Sequence, residues 1–132
     1  MKGNNLITAF LTGAILLSGG SAAIAHHSQS GEFDRNNTIE FTGVVQSVGW
    51  TNPHGFVYIE VESDDGPLVY KAEISAPNGL TRAGWRKGSV KPGTVIRFSG
   101  SRSRNPESMS VAGQMTLPDG TVAYQGSGPE AK

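Results

Sequence analysis

The chain has 132 residues, 36% hydrophobic and 17% charged, enough for one globular domain and unlike a disordered tail. Lys and Arg number 11 and Asp and Glu 11, a balance that removes the electrostatic case for nucleic-acid binding. The absence of cysteine excludes a disulfide framework, a thiolate metal site, a thiol nucleophile and a lipid-attachment Cys, while 18 Gly and 7 Pro point to a turn-rich, all-β domain.

Residues 1–5 are polar with a single Lys, 6–17 form a mostly apolar run, and 19–25 are small and neutral. That is the order of a secretory signal peptide. The apolar run falls short of the ~20 residues that a membrane span needs. Ala23-Ile24-Ala25 fits the small-x-small rule, so cleavage is expected after Ala25. The expected organisation is a signal peptide over 1–25, an N-terminal arm over 26–37, a β-barrel domain over 38–125 and a flexible tail over 126–132. The expected location is the periplasm or the medium, with no membrane span after cleavage.

Beyond the polar arm, residues 38–48 predict a first strand, with Ile39 and Phe41 alternating against Glu40 and Thr42. Gly43 is read as a bulge or sharp bend after which the apolar phase moves to Val44 and Val48. Trp50 to Gly55 is a turn through Asn52-Pro53. Residues 56–62 predict a second strand with Val57, Ile59 and Val61 on one face and Phe56, Tyr58, Glu60 and Glu62 on the other. Asp64-Asp65-Gly66-Pro67 turns the chain into a third strand over 68–75, with Leu68, Tyr70, Ala72 and Ile74 inward. Asn78 is expected to cap a short helix over 79–85 that buries Leu80 and Trp85. A fourth strand over 94–100 with Ile96 and Phe98 inward, a polar loop over 101–107, a fifth strand over 108–117 and a sixth over 121–125 complete the chain. Five or six short strands with one short helix between the third and fourth predict a small closed barrel of the oligonucleotide/oligosaccharide-binding (OB-like) kind. A β-sandwich is the alternative.

Six strings then occur in order: His26-His27-Ser28, Glu32-Phe33-Asp34-Arg35, Gly49-Trp50-Thr51-Asn52-Pro53-His54, Pro77-Asn78-Gly79-Leu80, Gly84-Trp85 and Lys91-Pro92-Gly93. Together they resemble a widespread family of small exported bacterial proteins catalogued as a domain of unknown function. The resemblance implies a periplasmic β-barrel with no assigned activity. The chain departs from the family's pattern at Gly55 and Phe56, where bulkier residues usually follow the Pro-His pair, and at Gln29 and Ser30 in the arm.

Of the three histidines, two would stand at the mature N-terminus and the third is His54 in the Asn-Pro-His turn. Cleavage after Ala25 would give His26 a free α-amine, with pKa about 7.7–8.0 in general. That amine and the His26 imidazole can chelate one metal, with His27 and His54 as further nitrogen donors. Such a set suits Cu(II) and resembles the N-terminal histidine brace of some exported copper proteins. Cleavage one or two residues earlier would put a histidine third from the amine, another copper chelate. Trp50, Asn52, Phe56 and Tyr58 are the candidate ligand-binding residues, as a stacking platform on an OB-like face. No residue is singled out as catalytic. No G-x-S-x-G elbow is present, and Asp64-Asp65 reads as a turn. Glu60, Glu62 and Glu73 are expected on solvated strand faces. The expectation is therefore an exported, non-enzymatic binding protein with copper as candidate cofactor. The alternative is an OB-like module that binds a small ligand or a periplasmic protein through its aromatic face without metal. An enzyme would require redox chemistry at a brace copper.

Overall fold

A computed structural model describes residues 31–126. The expected leader, His26, His27 and the end of the tail lie outside the described residues. The order of elements is β1 (Phe33–Gly49), β2 (Gly55–Val61), β3 (Leu68–Ile74), α1 (Pro77–Arg82), β4 (Val95–Ser103), β5 (Ser110–Thr116) and β6 (Val122–Gln125). The all-β class and the single short helix between third and fourth strands agree with the sequence pattern.

The strands form one sheet in the order β3-β2-β1-β4-β5-β6, with antiparallel neighbours. A further parallel pairing joins β3 to β5 through Lys71–Ser110, Ala72–Val111 and Glu73–Ala112. Alternation puts Val57 and Ile59 of β2, Tyr70, Ala72 and Ile74 of β3, Ile96 and Phe98 of β4, and Val111 and Met115 of β5 into one core. Leu80 of α1 joins them. Phe41 stacks between Tyr70 and Phe98, with ring centroids at 4.4 and 4.9 Å. Such aromatic pairs each contribute about 0.5–1.5 kcal/mol beyond the area they bury.

The structure corrects several local expectations. β1 does not change phase at Gly43: Val45 is buried (1% exposed), whereas Val44 is 43% exposed. The ladder irregularity lies between Val45 and Ser47, so the extra residue is Gln46. Gly43 has a different role. β1 is paired on both sides there, to β4 through Gly43–Ile96 and to β2 through the adjacent Val44–Glu60. A Cβ on Gly43 would lie against the Glu60 carbonyl oxygen and 2.7 Å from Ile59 Cγ2. Only a residue without a side chain permits that approach.

β1 also starts at Phe33, inside the stretch expected to be an arm, because Phe33 and Asp34 pair with Ser103 and Arg102. β4 correspondingly runs on through Ser101 and Ser103, which were expected in a loop and are 3% and 8% exposed. Their short hydroxyl side chains read as loop residues in isolation, but pairing to β1, and for Ser101 to β5 as well, keeps them in the strand. The helix begins at Pro77, not after Asn78, and Ala76 occupies the cap position without a side-chain hydrogen bond. Proline suits the first helical position because its fixed φ is helical and that N–H would be unsatisfied anyway. Trp85 falls beyond the helix end, where its Nε1–H donates to the Ala123 carbonyl oxygen at 2.7 Å. Leu68, expected inward, is 41% exposed at the start of β3. In the turn between β5 and β6, the Thr121 backbone N–H donates to Asp119 Oδ1 at 2.8 Å. That hydrogen bond holds the Asp119 carboxyl below its ordinary value.

Replacing Gly43 with Ala should lower the unfolding free energy by about 1–3 kcal/mol, the usual range for overpacking. Urea denaturation checks this. Gly31→Ala, where a Cβ would meet nothing within 4 Å, should leave the midpoint unchanged.

Candidate functional site

The site grows from the register of β2 and β3. Phe56 lies opposite Glu73, and Tyr58 opposite Lys71. Gly55, Val57 and Ile59 face the core, so Phe56 and Tyr58 face outward together with their partners Glu73 and Lys71. One step before Gly55, His54 continues the same outward parity. The ladder extends to that point, since the Gly55 N–H donates to the Ser75 carbonyl oxygen at 3.4 Å. Side chains two positions out of register across an antiparallel pair are diagonal neighbours. His54 therefore reaches Glu73, and Phe56 reaches Lys71.

Both diagonal contacts form. His54 Nδ1 lies 2.8 Å from Glu73 Oε1. Lys71 Nζ sits 3.8 Å from the centroid of the Phe56 ring, a cation–π arrangement. The two ends of the first contact differ in burial: the Glu73 side chain is 5% exposed and that of His54 35%. The turn that carries His54 is pinned by the Thr51 hydroxyl, which donates to the His54 carbonyl oxygen at 2.8 Å. The Asn52–Pro53 peptide in that turn is cis. Beside the strip, the Tyr124 hydroxyl accepts the Ser75 N–H at 2.9 Å and contacts the Ser75 hydroxyl at 3.1 Å.

Glu73 corrects the expectation of a solvated face. Its parity is outward, as the sequence pattern implied, but β5 lies against β3 and pairs Glu73 with Ala112. A carboxylate flanked by strands on both sides is removed from water even on the outer face. Burying a charged group is costly unless it is hydrogen-bonded, and the His54 imidazole supplies a partner. Glu73 was not among the expected site residues. Its outward parity in β3, shared with Lys71, was the only sequence signal for it.

The expected ligand-binding residues divide. Phe56 and Tyr58 share the outer strip with His54 and Lys71. Trp50 packs against the core cluster, and Asn52 is exposed in the turn. His26 and His27 lie outside the described residues. Among the described residues, no group of three or more His, Asp or Glu side chains could hold a metal ion by itself. Clefts among the described residues also lie elsewhere. One of about 410 Å³ runs between α1 and β6 and is lined by Leu80, Trp85, Val122 and Tyr124. Another, of about 470 Å³, lies over the outer face of β4 and β5 beside the Glu40–Arg97 ion pair. No helix among the described residues is long and apolar enough to cross a membrane.

Fold and site define an all-β domain that presents a carboxylate-held histidine and two aromatic residues on one outer strip. The chain belongs to a family of unknown function, DUF6152, whose model matches residues 14–112. No curated protein and no solved structure matches it.

Replacing His54 with Ala takes a hydrogen-bond partner from a buried carboxylate, which typically costs about 1–3 kcal/mol. Urea titration should show a loss of that size. A midpoint equal to that of the parent would mean that the pair contributes nothing to stability.

Proposed function

We propose that the mature chain is an exported, non-enzymatic binding domain on a small OB-like closed barrel, and that it holds one Cu(II) ion between its N-terminal histidines and His54. The barrel reading is supported by the pairing circuit, which runs from β1 through β2, β3, β5 and β4 back to β1. It is supported also by α1 lying between β3 and β4 in the chain.

The observation that carries the copper reading is the contact of His54 with a buried carboxylate. Metal-binding imidazoles almost always donate their second ring N–H to a carboxylate, a carbonyl or water. His54 has that support before any metal arrives. The remaining donors would be His26 with its α-amine, and His27. Nitrogen donors without sulfur favour Cu(II), which heads the divalent affinity order.

A second reading has its own observation: Phe56 and Tyr58 share one face with Lys71 held over the Phe56 ring. That strip would suit a flat or acidic ligand, or a periplasmic protein, without any metal. Copper titration separates the two. Chain beginning at His26 should bind one equivalent of Cu(II) more tightly than a free peptide of the same first residues. Placing Gly-Ser-Gly-Ser before His26, or replacing His54 with Ala, should weaken binding at least tenfold. Affinity equal to that of the peptide, or indifference to both changes, would overturn the copper reading. Unaltered copper behaviour in a Phe56→Ala, Tyr58→Ala double variant is expected as well.

A further inference from the structure

We propose that Glu73 is a positioning residue that fixes the tautomer of His54, placing the proton on Nδ1 and committing Nε2 to the bound ligand. The consequence for metal binding rests on the copper reading above; the tautomer itself does not.

A neutral imidazole has one N–H and one lone pair, and what lies beside each nitrogen decides which is which. Nδ1 of His54 lies 2.8 Å from Glu73 Oε1. A carboxylate oxygen that close repels a ring lone pair and attracts an N–H, so it favours the hydrogen on Nδ1. The Nε2 lone pair is then the group left to take a metal ion or to accept from a donor.

Three features make the assignment stiff. The acceptor is buried while the imidazole is one-third exposed, so water competes poorly for the carboxylate oxygen. Glu73 is anchored within a strand paired on both sides, to Phe56 of β2 and Ala112 of β5. His54 is tied at its own backbone by the Thr51 hydroxyl. On the same strip, the Lys71 ammonium sits over the Phe56 ring. Binding a metal through Nδ1 would break the contact with a buried carboxylate, whereas binding through Nε2 keeps it. Coordination through Nε2 also makes the Nδ1–H a better donor, so metal and carboxylate reinforce each other across the ring.

The test has a readout that needs no metal. Long-range ¹H–¹⁵N correlation spectra of the metal-free mature chain at pH 8, where an ordinary imidazole is neutral, report which ring nitrogen of His54 is protonated. The expected state is Nδ1–H in the parent and in Glu73→Gln, whose amide oxygen can still accept. Glu73→Ala should move the ring toward Nε2–H. Finding Nε2–H in the parent overturns the proposal, and that measurement stands even if Glu73→Ala fails to fold. Copper titration supplies the second arm. Glu73→Ala should bind Cu(II) about 10–100-fold more weakly than the parent, the usual cost of removing such a partner, with Glu73→Gln closer to the parent. Parent binding that depends on His54 but is unchanged in Glu73→Ala overturns the positioning role and leaves the copper reading standing. An Nδ1–H parent that binds no copper does the reverse.

Discussion

Strand β3 would be the outer strand of the sheet were it not paired in parallel with β5 over Lys71, Ala72 and Glu73. A parallel partner cannot follow directly in the chain; it requires a crossover, here α1 and β4. The pairing hides a row of backbone N–H and C=O groups that an edge strand would leave open to other chains. It also decides the chemistry of the outer face. Ala72 goes into the core, and Glu73, next in the strand, is caught between Phe56 and Ala112. Without β5 at its side Glu73 would be one more solvated carboxylate. With β5 there it is buried and bound to His54, and the turn before β2 gains a fixed imidazole.

Alternation made most strands legible. Val57 and Ile59, Tyr70, Ala72 and Ile74, and Ile96 and Phe98 are apolar at every second position and all reach the core. The legible signal fails where an inward position carries no apolar side chain. Gly43 faces inward but reads as an interruption, so local pattern puts the phase change there, whereas the ladder puts it three residues on, at Gln46. Ser101 and Ser103 are buried by pairing rather than by hydrophobicity, and Asp34 to Asn37 lie in β1 despite a sequence suited to a loop. Pairing overrides local propensity at Asp34 and Ser101, while Arg35 to Asn37 stand out of register with β4 and keep a local turn bond to Asp34.

The site was half legible for the same reason. His54, Phe56 and Tyr58 announced themselves by residue type and by position beside a strong turn. Glu73 did not, because parity says which face a residue takes but not what covers that face. A pairing between strands separated by a helix and another strand cannot be read from local periodicity. Trp50 could by type be either a platform or a core residue, and it packs against the core cluster. The structure thus links two distant parts of the sequence, the Asn-Pro-His turn and the end of β3, through the contact of His54 with Glu73.

On the copper proposal, signal cleavage and fold would each supply donors. The fold contributes His54 already oriented, and cleavage after Ala25 would contribute a histidine with a free amine. Native mass spectrometry of the chain recovered from an exporting bacterial host grown with copper reads both at once. The account predicts a single species that begins at His26 and carries one copper ion. Chain that begins at His26 yet stays metal-free, while a His-initiated control peptide in the same sample loads copper, would contradict it.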